Sequence, residues 1–114
     1  MKVYGIVNCS TVKAARTWLD RRKLAYEFVD FKKTPPDQAL LERWCRTFGW
    51  ERVLNRRGAT WRMLSPAEQA KVKDQRSAIA LMLAKPTVIK RPVVDDGTPR
   101  AIGFDEAQYA KLHS

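Results

Sequence analysis

Residues 4–22, YGIVNCSTVKAARTWLDRR, join a short apolar run to a helical pattern through a single cysteine. The run Lys2–Val7 is rich in β-forming residues and predicts a strand. In the segment Thr11–Arg22 the apolar residues recur at helical spacing, as Val12, Ala15, Trp18 and Leu19. A second strand is predicted at Ala25–Phe31. The first 31 residues therefore predict a β-α-β unit, whose two strands should be parallel.

Cys9 lies at the junction between the first strand and this helix. If the helix begins at Ser10 or Thr11, the thiol lies beside unpaired backbone N–H groups and the positive end of the helix dipole, which stabilise an anion by up to ~2 kcal/mol. The thiolate is the nucleophilic form of cysteine, so the position suits a reactive thiol. It equally suits a small buried apolar residue, which is a common role of free cysteine. Position alone leaves both interpretations open.

The middle of the chain predicts helices only. After the break KKTPPDQ at 32–38, one apolar helical face ends at Gly49 and contains Leu40, Leu41, Trp44, Cys45 and Phe48. Ser65, Pro66 and Glu68 fit the N-cap, first position and capping-box partner of another helix. A further helical segment around Ile79–Leu83 is closed by Pro86. We expect one domain over residues 1–114, with an all-helical insert at about 35–85.

Residues 87–104, TVIKRPVVDDGTPRAIGF, return to a β pattern. Two β-branched runs flank Asp96-Gly97, which is a hairpin signal, and Pro92 interrupts the first run. A last helix is predicted from Asp105, with Gln108 as its capping partner, through Leu112. The element order is therefore β-α-β, a helical middle and β-β-α.

The chain is strongly basic, with a formal net charge of +10 and a pI near 10.1. This charge fits nucleic acid, anionic small molecules or simply a basic surface. No nucleic-acid-binding motif organises the cations, so we disfavour nucleic acid as a partner.

The apolar runs, cysteines and histidine of the sequence indicate where the protein resides and whether it binds a metal or cofactor. No apolar run approaches the ~20 residues of a membrane span, and the N-terminal residues lack a secretory pattern, so we expect a cytoplasmic protein with reduced thiols and no membrane partner. His113 and two distant cysteines make no zinc-ligand pattern, and we expect neither a metal nor a bound cofactor.

Val12 stands where the second cysteine of a C-x-x-C pair would be, so disulfide chemistry at Cys9 needs an external or distant thiol. Cys45, within an apolar helical face, is interpreted as a packing residue.

Four segments together resemble the arsenate reductase (ArsC) family of thioredoxin-like proteins, and within it the YffB-like subgroup of glutathione-dependent thiol reductases. These segments are GIVNCSTVKAARTWL, VLNRRGATWR, ALMLAKPTVIKRPVV and IGFDEAQYAKL. The resemblance covers essentially the whole chain. It implies an α/β thioredoxin-like fold, with β-α-β and then β-β-α around a mixed sheet, and a helical insert.

The resemblance also implies a site. Cys9 matches the family's nucleophile, and Arg91 matches an arginine that precedes a cis-proline, here Pro92. Substrate contacts are implied for the amides of Ser10 and Thr11, for Lys13, and for Arg56 or Arg57.

This chain departs from the family's pattern at three positions. Gly5 stands where classical arsenate reductases have a histidine, Asn55 where they have a second arginine, and Gly103 near the place of the third. These departures weaken the case for arsenate as the substrate.

Two functions from different classes follow. In the first, the Cys9 thiolate attacks a disulfide or an oxyanion, and glutathione resolves the adduct as co-substrate, with glutaredoxin as a further candidate partner. In the second, the chain is a non-enzymatic regulator similar to the Spx proteins, and it binds a protein such as RNA polymerase.

Overall fold

The computed structural model describes residues 1–113 and divides the chain into two compact units. One comprises Met1–Thr34 and the chain from Arg91 onward, and the other is Pro35–Lys90. The expectation of a single domain with a helical insert at about 35–85 stays a prediction. No helix among the described residues is both long and apolar enough to cross a bilayer.

The first unit is built on a four-stranded mixed sheet. Its strands are β1 (Lys2–Gly5), β2 (Glu27–Asp30), β3 (Val93–Asp95) and β4 (Pro99–Ile102), in the spatial order β2-β1-β3-β4. Strand β1 runs parallel to β2 and antiparallel to β3, and β3 pairs antiparallel with β4. The predicted α/β class, the mixed sheet and the parallel first pair are confirmed.

Helix α1 (Ser10–Arg21) covers this sheet with its apolar stripe. Its buried residues are Val12, Ala15 and Leu19, which recur at the spacing that the sequence predicts. The core around them also contains Val3, Val94, Ala101 and Tyr109. The Tyr109 hydroxyl donates a hydrogen bond of 2.7 Å to the carbonyl of Gly103, so the polar end of this buried ring is satisfied.

The second unit is helical. It contains α2 (Gln38–Phe48), α3 (Trp50–Val53), α4 (Ala59–Arg62), α5 (Pro66–Ala70) and α6 (Gln75–Ala84), followed by a 3-10 turn at Pro86–Val88. The predicted capping box is confirmed, since Ser65 and Glu68 exchange hydrogen bonds at the start of α5. The large buried side chains include Leu41, Trp44, Val53, Met82 and Ile89.

The predicted strand boundaries were wrong in the late part of the chain. The first β-branched run forms a strand only from Val93, because the backbone before Arg91 forms hydrogen bonds within the second unit. There the Lys90 N–H donates to the Val53 carbonyl over 2.7 Å, and the Asn55 N–H donates to the Val88 carbonyl over 2.8 Å.

The last helix, α7 (Glu106–Tyr109), is shorter than predicted. The Asp105 side chain caps it by accepting from the Ala107 N–H over 2.9 Å, so the predicted pairing with Gln108 was wrong. Leu112 lies beyond the helix but is buried. The hydrophobic spacing that predicted a longer helix therefore reflects burial of a turn.

Candidate active site

The sheet brings two distant segments to one edge. Tyr4, near the end of β1, pairs with Val93, the first residue of β3. The chain leaving β1 reaches Cys9 a few residues later, and the chain entering β3 passes through Arg91 and Pro92. Because β1 and β3 are antiparallel neighbours, the thiol and this arginine lie at the same end of the sheet.

Cys9 is the N-cap residue of α1. Its backbone is extended, with φ −102° and ψ 124°, and its carbonyl accepts the first helical hydrogen bond from the Lys13 N–H over 3.0 Å. The helix thus begins at Ser10, as the sequence predicts. The residue is half-buried.

The surroundings of Cys9 stabilise its thiolate form. Partial burial by itself raises the pKa of Cys9, but the amides of Val12 and Thr11 and a hydrogen bond and positive charge from Arg91 outweigh it, and the pKa lies below the usual value. Both amides lie in the first turn of α1, where backbone N–H groups have no helical partner and stabilise an anion. Among the described residues, Arg91 is the charged side chain that stabilises this anion.

Arg91 and Pro92 form the second half of the site. The peptide bond between them is cis, as the resemblance implies. Pro92 is buried, and its carbonyl accepts a hydrogen bond of 2.8 Å from the Gly103 N–H. Arg91 is half-buried, with its guanidinium directed to the sulfur. A planar donor in this position can serve either a thiolate or an anionic substrate group.

Gly5 has a packing reason that the sequence did not reveal. A Cβ atom at this position would lie 2.8 Å from Cγ2 of Val12 and 3.6 Å from Cε1 of Phe28. The first distance is shorter than real Cβ contacts, and Val12 is fully buried and stiff at χ1. A histidine at this position would therefore require Val12, or the backbone that carries it, to shift. In this chain the helix amides and Arg91 stabilise the thiolate without it.

The other predicted contacts divide between the two units. Ser10, Thr11 and Lys13 lie in the first turns of α1 and are exposed. Of these, only Thr11 contributes to the pKa of Cys9. Arg56 and Arg57 are exposed in the second unit, where the Arg57 N–H donates to Oδ1 of Asn55 over 3.2 Å. The substrate contacts of Ser10, Lys13 and the two arginines stay predictions.

The second cysteine has the opposite character. Cys45 lies on the buried face of α2 beside Leu41 and Trp44, and burial raises the pKa of its thiol to about 11. Both cysteines are free. Within residues 1–113 no group of three or more His, Cys, Asp or Glu side chains is arranged to hold a metal ion.

A mixed sheet, a helix whose N-cap residue is a cysteine and a cis-proline segment whose arginine contacts the same thiol define a thioredoxin-like protein. The sequence profile of the ArsC family matches residues 4–112, and the chain belongs to this family.

Individual relatives support the same assignment. The chain is similar to an uncharacterized protein of Haemophilus influenzae, at 37% identity over 94% of this chain and 93% of that protein. Among solved structures, it is similar to a YFFB protein at 48% identity, with a TM-score of 0.90 over 96% of this chain and 95% of the other. It is also similar to an arsenate reductase (ArsC) related protein from Brucella melitensis, at 44% identity, with a TM-score of 0.74 over 97% and 94% of the two chains.

Proposed function

We propose that this protein is a thiol-dependent oxidoreductase that uses Cys9 as its nucleophile and glutathione as its reductant. The observation that carries the proposal is the half-buried thiol at the start of α1, whose pKa is lowered by helix amides and by Arg91 despite partial burial. Thiolates with this combination of exposure and lowered pKa are the reactive cysteines of proteins. Membership of the ArsC family supports the same chemistry.

The reaction has three thiol-disulfide exchange steps. The Cys9 thiolate attacks one sulfur of a substrate disulfide, the S–S bond breaks, and the departing sulfur leaves as a thiolate that takes a proton from water. Cys9 is then held in a mixed disulfide. Exchange with one glutathione transfers the adduct, and a second glutathione completes the reduction, so two glutathione thiols become one glutathione disulfide and supply both electrons. Glutaredoxin is a candidate carrier for the second exchange.

Arg91 would act twice in this sequence. Its guanidinium stabilises the resting thiolate, and it can bind the carboxylate of a glutathione moiety or the negative charge of an oxyanion. At the start of α1, the backbone amides of Ser10 and Thr11 and the Thr11 hydroxyl would stabilise the same negative charge. Arsenate is the oxyanion that the name of the Brucella relative suggests, although Gly5 and Asn55 replace residues of the classical enzymes.

A cytoplasmic location is part of this proposal. Cytosolic glutathione keeps protein thiols reduced, and the mechanism needs Cys9 as a free thiol before each turnover.

The test is turnover of an S-glutathionylated peptide with glutathione, coupled to NADPH oxidation by glutathione reductase. Changing Cys9→Ser should reduce the rate by about a thousandfold or more, because the hydroxyl is not ionised at neutral pH. The matched variant Cys45→Ala should retain the wild-type rate. Full activity of Cys9→Ser would refute the proposal. No turnover by the wild type, together with tight binding of RNA polymerase, would favour a regulator instead.

A further inference from the structure

A group of exposed arginines lies on the surface of the unit Pro35–Lys90. The stretch 46–57, RTFGWERVLNRR, contains four arginines and a single acid, Glu51. All four arginines, Arg46, Arg52, Arg56 and Arg57, are exposed. The excess of positive charge is therefore local and accessible.

Two of these guanidinium groups are held against aromatic rings. Cζ of Arg52 lies 5.8 Å from the centroid of the Phe48 ring, and Cζ of Arg56 lies 5.2 Å from the centroid of the Trp50 ring. Cation-π contacts at these distances restrict long side chains that would otherwise be mobile. We call Phe48, Trp50, Arg52 and Arg56 the arginine-aromatic patch. These contacts give each guanidinium a preferred position before a ligand binds.

No carboxylate within residues 1–113 forms an ion pair with Arg52 or Arg56. Arg100 shows the contrasting arrangement, because its Nε lies 3.1 Å from both carboxylate oxygens of Asp96. Among the described residues, the two arginines of the patch therefore contact aromatic rings and have no carboxylate as an ion-pair partner. Carboxylates match the donor geometry of a guanidinium fork bidentately.

We propose that the arginine-aromatic patch binds an acidic segment of a partner protein. Nucleic acid fits less well, because single strands bind to such surfaces by stacking bases on exposed rings. Here both rings are half-buried, and a guanidinium covers each of them. The part of Arg52 and Arg56 that a partner can contact is therefore the outer edge of each guanidinium group. The proposal goes beyond the thiol chemistry, since binding at the patch requires no reaction at Cys9.

The experiment measures fluorescence anisotropy of a short, fluorescein-labelled peptide rich in Glu and Asp, with the full-length protein at low and at moderate salt. Wild-type protein should bind it, and Arg52→Gln/Arg56→Gln should weaken binding by roughly tenfold or more, since two bidentate contacts are lost. Arg52→Lys/Arg56→Lys should bind with intermediate affinity, because charge alone lacks the fork.

The matched control is Lys71→Gln/Lys73→Gln, which removes the same charge from exposed lysines of the same unit. It should change the affinity by less than about twofold, since unstacked surface lysines contribute only screened charge. An equal loss in the lysine and arginine variants would overturn the proposal in favour of general electrostatic attraction. Absence of peptide binding would overturn it directly. Tighter, patch-dependent binding of a single-stranded oligonucleotide of equal charge would replace the acidic protein with nucleic acid.

Discussion

The two cysteines show how far position determines the chemistry of one side chain. Cys9 caps a helix beside a guanidinium and is half-buried, and its pKa is lowered. Cys45 lies on the apolar face of α2, only 3% exposed, and burial raises its pKa to about 11. Burial acts in the same direction on both thiols. The difference is that hydrogen-bond donors next to Cys9 stabilise its thiolate and lower its pKa, whereas the pKa of Cys45 is raised by burial.

The comparison also shows which features make a thiol reactive. A helix alone is not sufficient, because both cysteines lie on or next to one. What matters is the end of the helix, where amides are unpaired, and the neighbouring strand segment that supplies Arg91. The predictions below alter these contributions separately.

The largest effect should follow from changing Arg91→Met. The thiolate would lose a charge-assisted hydrogen bond, worth ~1.5–3 kcal/mol, and alkylation of Cys9 by iodoacetamide at pH 6 should slow by roughly tenfold or more. Arg91→Lys is the matched control. Its Cys9 should be alkylated at a rate between those of the wild type and of Arg91→Met, because lysine keeps the charge but loses the planar donor. An unchanged rate in Arg91→Met would show that the helix terminus alone lowers the pKa.

A smaller but distinct effect should follow from Gly5→Ala. The added methyl group would press on Cγ2 of Val12 at 2.8 Å, and overpacking of this kind lowers the free energy of unfolding by about 1–3 kcal/mol. Urea denaturation measures it.

A double-mutant cycle tests the cause of that loss. The Val12→Ala substitution is destabilising by itself, but in that background Gly5→Ala should lose most of its effect, because the colliding atoms are gone. Additive losses in the double variant would mean that the Val12 contact is not the reason for the glycine.

The smallest effect on reactivity should come from Cys45→Ala. Removing a buried sulfur should lower the free energy of unfolding by about 1 kcal/mol, while the pH profile of Cys9 alkylation stays at its wild-type position. Thermal unfolding and alkylation measured on the same sample check both statements. A shifted Cys9 profile would contradict the separate treatment of the two thiols.

Local signals in the sequence predicted much of this structure. The start of α1 at Ser10 follows from the change of period around Cys9, and the Ser65 and Glu68 capping box follows from residue type and spacing. The β-branched run that begins at Thr87 led to a wrong strand prediction. Its first residues form a 3-10 turn, and the backbone of 88–90 forms hydrogen bonds with residues 53–55. Such long-range pairing leaves no trace in a local pattern.

The candidate site was less accessible to sequence reasoning. Nothing local connects Arg91 to Cys9, because their contact depends on the antiparallel pairing of β1 with β3. The resemblance supplied it. The role of Gly5 was missed for a similar reason, since the close approach of Val12 is a property of packing between β1 and α1.

The pH dependence of Cys9 alkylation tests the central claim most directly. Iodoacetamide labelling between about pH 4 and 9, followed by mass spectrometry with Cys45 as the internal reference, measures the thiolate fraction of each cysteine. Because a lowered pKa keeps the thiolate populated at more acidic pH, Cys9 should reach half its maximal rate at a lower pH than an unperturbed thiol does, and Cys45 should not react in the folded protein. A Cys9 profile centred at or above the free-thiol value, or labelling of both cysteines alike, would contradict the account.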